Sequence, residues 1–355
     1  MDAPAPFFIV GTGRCGSTML SEFLREHDGV LSLSEFFCFT TDLGGRLAQS
    51  FAAAYIDAAQ FWRTVADAPP KLSTMLRHDV AMPEVLYRPT PASRFSAEAG
   101  VPALMQTTLP HLTADAESLL LEVEDFAATL PTAPIADHYT RLFAWLTARF
   151  GKRMWVERSG GSLHVVRRLV DTFPGARFLH LVRDGRACAL SMSRHYGFRM
   201  ALIAMQLTEI LGVDPFESGD RRWLADVPDD LIPFLPEAFD GEAFRRHEIP
   251  VGVCGHFWSG EIIDGVSALA SLPGDRLLTM RYEDFVTAPE DSLSRFAAFL
   301  GPDYVDKKWI QRMARRVRGS ATCASTLTAR DRRELDDACA PGFAALGDLY
   351  AEVRG

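Results

Sequence analysis

Apolar residues fall into short unbroken runs separated by longer stretches with helical spacing. FFIV at 7–10 is a continuous apolar run before a glycine turn, the pattern of a strand buried on both faces. After the turn, Met19, Leu20, Phe23 and Leu24 share one helical face. VLSLS at 30–34 predicts a second short strand. From Asp137 the periodicity sharpens: this residue is placed to cap a helix with core face Leu142, Phe143, Leu146 and Phe150, ended by Gly151. MWVE at 154–157 predicts a strand, followed by a helix facing inward through Leu163, Val166, Leu169, Val170 and Phe173. Pro174-Gly175 then turns the chain into RFLHLV at 177–182, a further buried strand, with a helix from about Gly185 to Ser193. RLLTMRY at 276–282 predicts the last strand. Pro289 opens a helix that faces inward through Leu293, Phe296 and Phe299, and Gly301-Pro302 stops it.

Strands alternating with helices imply right-handed βαβ units and a parallel sheet covered on both sides, a three-layer α/β/α architecture. Two stretches break the rhythm. Residues 40–135 carry several Pro signals and weak helical patterns, and 196–250 carry many Pro and Asp with some helix. No Gly/Ser-rich linker divides the chain, so the expectation is one domain over 1–355, with insertions at about 40–135 and 196–255.

Composition narrows the function. Net charge is −9 over 355 residues, so the basic footprint of a nucleic-acid binder is absent and local basic clusters point to a small anion. The first ten residues have no basic region, and no apolar stretch approaches the ~18 residues of a membrane span. Cys15, Cys38, Cys188, Cys254, Cys323 and Cys339 lie far apart without a C-x-x-C pair. They read as free thiols of a cytoplasmic protein, with no metal site.

The chemistry concentrates at VGTGRCGST, residues 10–18. Its glycines are spaced as in a phosphate-binding loop, between a buried strand and a helix, but Ser17 stands where that loop carries lysine and the nearest cation is Arg14. Backbone N–H groups at a helix start bind phosphate without a lysine. A second anion site is set by RDGRACALS: Arg183 leaves the sheet and Ser191 follows eight residues later. A bidentate guanidinium suits phosphate geometry. The strand ends in Arg where a magnesium-binding aspartate would stand, so two anion sites are prepared and no magnesium site is evident.

This combination resembles the sulfotransferases that use 3'-phosphoadenosine 5'-phosphosulfate (PAPS). In that family a [KR]-[SC]-G-[ST]-[ST] loop holds the 5'-phosphosulfate, matched here by Arg14-Cys15-Gly16-Ser17-Thr18 after Gly13. An Arg at a strand end with a Ser eight residues on holds the 3'-phosphate, matched by Arg183 and Ser191. A late strand running into Y-E-D and an amphipathic helix ending L-G is matched by LLTMRYEDFVTAPEDSLSRFAAFLG at 277–301, which contains Tyr282. The resemblance implies a P-loop NTPase-like sulfotransferase fold with helical insertions. It also implies metal-free, in-line sulfuryl transfer to a hydroxyl or amine, leaving adenosine 3',5'-bisphosphate. Arg14 would then stabilise the leaving phosphate.

The acceptor must lose a proton, and a carboxylate must take it. Glu35 in SLSEFF resembles the general-base glutamate in the EFF segment of bacterial trehalose 2-sulfotransferases and is the favoured base. Glu157 in WVERSGG resembles the E-K-[ST] segment of other family members and competes with it, unless it forms an ion pair with Arg158. His195 is a further acid/base candidate. Arg318-Gly319 resembles part of the R-K-G loop that closes on the 3'-phosphate, although the G-x-W-K tail is missing. Tyr282 is placed to stack near the adenine. Cys15, at a helix start, is expected to have a lowered thiol pKa. Phe51, Phe61, Trp62, Phe198, Trp223 and Phe234 in the irregular stretches form either a pocket for a small-molecule, glycolipid or lipid acceptor or the core of the insertions. The competing functions are a P-loop phosphotransferase and a non-catalytic nucleotide-binding relative.

Overall fold

FFIV becomes the middle strand of a five-stranded parallel sheet. In this computed structural model, which describes residues 6–41, 43, 45–319, 327–347, 349 and 350, the strands are Phe7–Val10 (β1), Val30–Ser34 (β2), Met154–Arg158 (β3), Arg177–Val182 (β4) and Leu277–Arg281 (β5). Their order is β2-β3-β1-β4-β5. The chain moves away from β1 first to one side and later to the other. The carboxyl end of β1 is therefore the switch point at which open α/β sheets bind ligands.

Alternation of side chains along β1 builds both core layers. Phe8 meets Trp155, Phe173 and Phe178 at ring-centroid distances of 5.6, 5.1 and 5.5 Å. Phe7 points to the opposite face and meets Phe299 at 5.5 Å and Phe296 at 6.3 Å. Helices Ile135–Arg149 (α2) and Val166–Thr172 (α3) cover the Phe8 face, and Pro289–Leu300 (α7) covers the Phe7 face. Both faces are buried, giving the three-layer α/β/α architecture that the strand and helix alternation implies. The remaining helices here are Ser17–Arg25 (α1), Gly185–Ser193 (α4), Val251–Leu269 (α5), Tyr282–Thr287 (α6), Lys307–Ala314 (α8) and Ala329–Leu346 (α9).

Several expectations need adjustment. Asp137 does not cap α2, which already begins at Ile135; it lies in the first turn, where its charge favours the helix dipole. β3 runs one residue further than expected, to Arg158. Tyr282 opens a helix and is no longer strand.

The chain divides into two compact units. One comprises residues 1–35, 139–192 and 250–355 and holds the sheet; the other comprises 36–138 and 193–249. The second unit has its own core, with Met75, Met82, Met200, Ile203, Leu207 and Phe244 among its buried residues. Its regular structure includes the 16-residue helix Tyr196–Leu211 and a two-residue ladder of Tyr55–Ile56 with Ala133–Pro134. Of the aromatic residues singled out there, Phe61 and Phe234 are buried, Phe51 stacks on Phe37 of the same unit, and Trp223 is 56% exposed.

Candidate active site

Two glycines of the loop after β1 sit where a side chain would collide. A β-carbon at Gly11 would lie 2.5 Å from the Leu181 carbonyl oxygen and 2.8 Å from Cys15 Sγ. At Gly16, where φ is +92°, it would run into the Tyr282 ring. Gly16 is the N-cap of α1 and supplies no side-chain cap, so the loop backbone and the first turn of α1 lie together. Arg14 also takes a left-handed conformation, φ 65°, and so does Glu35, φ 59°. They are two of the three non-glycine residues with positive φ among the described residues. Such strain persists where surrounding structure holds it and concentrates at functional sites.

The two anion motifs meet. Arg14 Nε donates to Ser191 Oγ at 3.0 Å, and Arg183 Nη1 donates to the Arg14 carbonyl at 3.0 Å. The loop after β1, the end of β4 and helix α4 are thereby tied into one cluster. Arg183 is 8% exposed, and its guanidinium lies over the Tyr282 ring, 4.7 Å from the centroid. Tyr282 thus buttresses both Gly16 and Arg183, and its hydroxyl donates to the Arg318 carbonyl at 3.4 Å. Asp184 caps α4 by accepting the Ala187 N–H at 3.0 Å and lies 3.8 Å from Arg186. Gly13 and Ser17 are buried beside Arg14, and Thr18 is exposed.

Cys15 departs from expectation. Burial pushes its thiol pKa up, because desolvation of a thiolate outweighs the hydrogen bonds from Ser17. The five described cysteines are free thiols; Cys323 lies outside the described residues.

The carboxylates separate clearly. Glu35 follows β2 directly, and its backbone N–H donates to the Arg158 carbonyl at 2.8 Å, prolonging the β2–β3 pairing. Its Oε1 pairs with Arg158 Nη1, and its Oε2 accepts the Gly160 N–H at 2.8 Å. Arg158 Nη2 also donates to Ser34 Oγ at 3.0 Å. The ion pair expected of Arg158 therefore forms with Glu35, on the sheet face where Ser32 meets Ser21 of α1. Glu157, one residue earlier, shares the opposite face with Trp155. It is fully buried, and its Oε1 accepts the Ser159 hydroxyl at 2.5 Å.

His195 has both ring nitrogens engaged within the second unit. Nδ1 accepts the Gly197 N–H at 3.1 Å, so Nε2 carries the hydrogen and donates to Glu84 Oε2 at 2.8 Å. Arg318 is exposed, with Nη1 on the carbonyls of Arg315 (2.7 Å) and Val317 (2.9 Å); Gly319 is the last described residue before 327. Among the described residues, no group of three or more His, Cys, Asp or Glu side chains is arranged to hold a metal, and no helix is long and apolar enough to cross a membrane.

The sequence alone did not single out Arg158 as the partner of Glu35, nor the Ser159-Gly160-Gly161 turn that closes on it. The signal was an arginine and two glycines directly after a strand adjoining the loop strand. The YED segment also supplies Glu283, which its sequence alone does not mark, and whose Oε1 accepts the Asp184 N–H at 2.9 Å behind Arg183.

Several solved structures are similar to this chain. Sulfotransferase STF9 from Mycobacterium avium is 14% identical with a TM-score of 0.45, covering 99% of this chain and 78% of its own. A sulfotransferase from Alicyclobacillus acidocaldarius is 16% identical with a TM-score of 0.41, covering 100% of both chains. The sulfotransferase domain from the curacin biosynthetic pathway is 15% identical with a TM-score of 0.44, covering 90% of this chain and 80% of its own. No curated protein matches. The model of the sulfotransferase family matches residues 6–225, well over half of the sequence, and the chain belongs to that family.

Proposed function

We propose that the protein is a PAPS-dependent sulfotransferase acting on a hydroxyl or amine of a small-molecule, glycolipid or lipid acceptor. The observation that carries the donor assignment is the convergence of Arg14, Arg183 and Ser191 at the carboxyl end of β1. A nucleotide with anions at both its 5' and 3' positions needs cations from two directions, and this cluster supplies them. The fit is supported by glycines at 11 and 16, which let the loop pack closely against Leu181, Cys15 and Tyr282. It is also supported by Ser162 Oγ, buried without a hydrogen-bond partner two residues from the Gly160 N–H that holds Glu35. The family match goes against the phosphotransferase alternative.

In this reading the loop N–H groups from Gly13 to Thr18 hold the 5'-phosphosulfate and Arg183 with Ser191 holds the 3'-phosphate. Arg14 meets the negative charge that grows on the leaving phosphate oxygen. An arginine does not give up its proton, so its contribution is electrostatic and hydrogen-bonding. Glu35 takes the acceptor's proton. Arg158 and the Gly160 N–H fix its orientation, and each oxygen retains a further lone pair for the acceptor hydroxyl. Glu157, whose side chain lies on the other face of β3 and accepts the Ser159 hydroxyl, is the less favoured base in this reading. The free thiols favour a cytoplasmic location. Calorimetric titration with adenosine 3',5'-bisphosphate, ATP serving as control, tests the donor assignment.

A further inference from the structure

Behind Arg183 runs a chain of hydrogen bonds that reaches the C-terminal segment. Tyr350 donates its hydroxyl to Glu283 Oε2 at 2.9 Å, and Glu283 Oε1 accepts the backbone N–H of Asp184 at 2.9 Å. Asp184 is the residue after Arg183, so this N–H fixes the peptide through which Arg183 leaves β4. Tyr350 is 1% exposed, its ring lies 5.6 Å from Phe343, and the Arg281 guanidinium covers it at 4.4 Å. Burial beside the Glu283 carboxylate raises the Tyr350 phenol, so it stays a donor at any physiological pH.

The segment that delivers Tyr350 is held to the same turn by other contacts. Arg186 of α4 donates to Asp336 of α9 at 2.5 Å, and its guanidinium lies over Phe343 at 5.4 Å. Trp258 of α5 fills the space left by Gly185, at the start of α4, and by Gly342 of α9. Pro341 interrupts α9, and the Ser259 hydroxyl bridges the interruption: it donates to the Ala338 carbonyl at 2.6 Å and accepts the Gly342 N–H at 3.2 Å.

We propose that Glu283 and Tyr350 are positioning residues for the anion site made by Arg183 and Ser191. The C-terminal segment sets the exit angle of Arg183 through the Asp184 N–H, and so sets selectivity for a nucleotide bearing a 3'-phosphate. The proposal rests on the donor-site reading above. Neither side chain touches the nucleotide.

The test uses the full chain and calorimetry with two probes, adenosine 3',5'-bisphosphate and adenosine 5'-phosphate. Loss of one buried hydrogen bond corresponds to about three- to tenfold in affinity. Tyr350→Phe, which loses one such bond, weakens the bisphosphate by this factor; Glu283→Ala, which loses the bonds from both Tyr350 and Asp184, weakens it at least as much; both leave the 5'-phosphate unchanged. Glu283→Gln keeps an acceptor for Asp184 and restores binding. Undiminished bisphosphate binding in Tyr350→Phe and Glu283→Ala would overturn the positioning role and leave the donor site standing. Equal weakening of both nucleotides, or a Glu283→Gln as impaired as Glu283→Ala, would also overturn it, pointing to a structural role or a role of the charge. Should Glu283→Ala fail to fold, Tyr350→Phe and Glu283→Gln decide by the same criteria. Wild-type protein holding the bisphosphate no more tightly than the 5'-phosphate would refute the donor-site reading itself, and this proposal with it.

Discussion

Arg14 Nε donates to Ser191 Oγ at 3.0 Å, joining residues 177 positions apart. This bond links the loop that would hold the sulfuryl end of the donor to the helix that would hold its 3' end. Arg14→Ala removes both the cation and the link. An electrostatic donor of this type is worth ~3 kcal/mol in the transition state, so turnover falls about 100-fold. Bisphosphate affinity falls far less. Steady-state kinetics beside product binding checks the split; equal losses would make Arg14 a binding residue only.

Glu35→Gln removes the proposed base while keeping its shape. Turnover drops by about 10²-fold or more. The substitution also leaves Arg158, 2% exposed, facing a neutral partner, and breaking a buried pair costs about 3–5 kcal/mol. Melting temperature must therefore be measured with activity, at a temperature where the variant is folded. Glu157→Gln stays within a few-fold of wild-type turnover. The reverse ranking would move the base to Glu157.

Gly16→Ala tests the loop without touching a charge. The φ of +92° strains an L side chain, and the new methyl meets the Tyr282 ring that supports Arg183. Left-handed backbone alone costs about 1–2 kcal/mol. Denaturant unfolding should show at least that loss, and calorimetry a weakened bisphosphate; unchanged values for both would mean that the loop differs from the one described.

His180 makes stability fall on the acid side. It lies fully buried in β4, and desolvation lowers its pKa from 6.5 to about 4. The unfolded chain takes up a proton as pH falls through 6.5 and the folded chain does not until about pH 4, so stability is lost between these values. The loss attributable to this group is about 3 kcal/mol. Urea midpoints at pH 7.5 and 4.5 should differ less in His180→Leu than in wild type. An identical difference would show that His180 is not the group responsible.

Continuous apolar runs made the sheet legible, because a strand buried on both faces has no polar alternation to hide it. FFIV, wholly apolar, coincides with β1; VLSLS and RFLHLV, which carry polar residues, are still recognisable between turn signals and coincide with β2 and β4. Motif spacing also marked Arg14 and Ser191 as parts of two anion sites, and the two side chains are hydrogen-bonded in the fold. The partner of Glu35 was not legible, since strand adjacency between β2 and β3 is set by the sheet order and not by neighbouring residues in sequence. Likewise a helix-start cysteine reads as acidic only if it is exposed, and burial of Cys15 reversed the sign. The second unit was obscured by its short helices and many prolines, whose core forms between segments far apart in the chain.

The most direct test of the donor site is calorimetric titration of the purified protein with adenosine 3',5'-bisphosphate and with ATP, without metal. The account predicts micromolar binding of the bisphosphate, lost in Arg183→Ala and not matched by ATP. ATP binding that requires magnesium, with none for the bisphosphate, would contradict it.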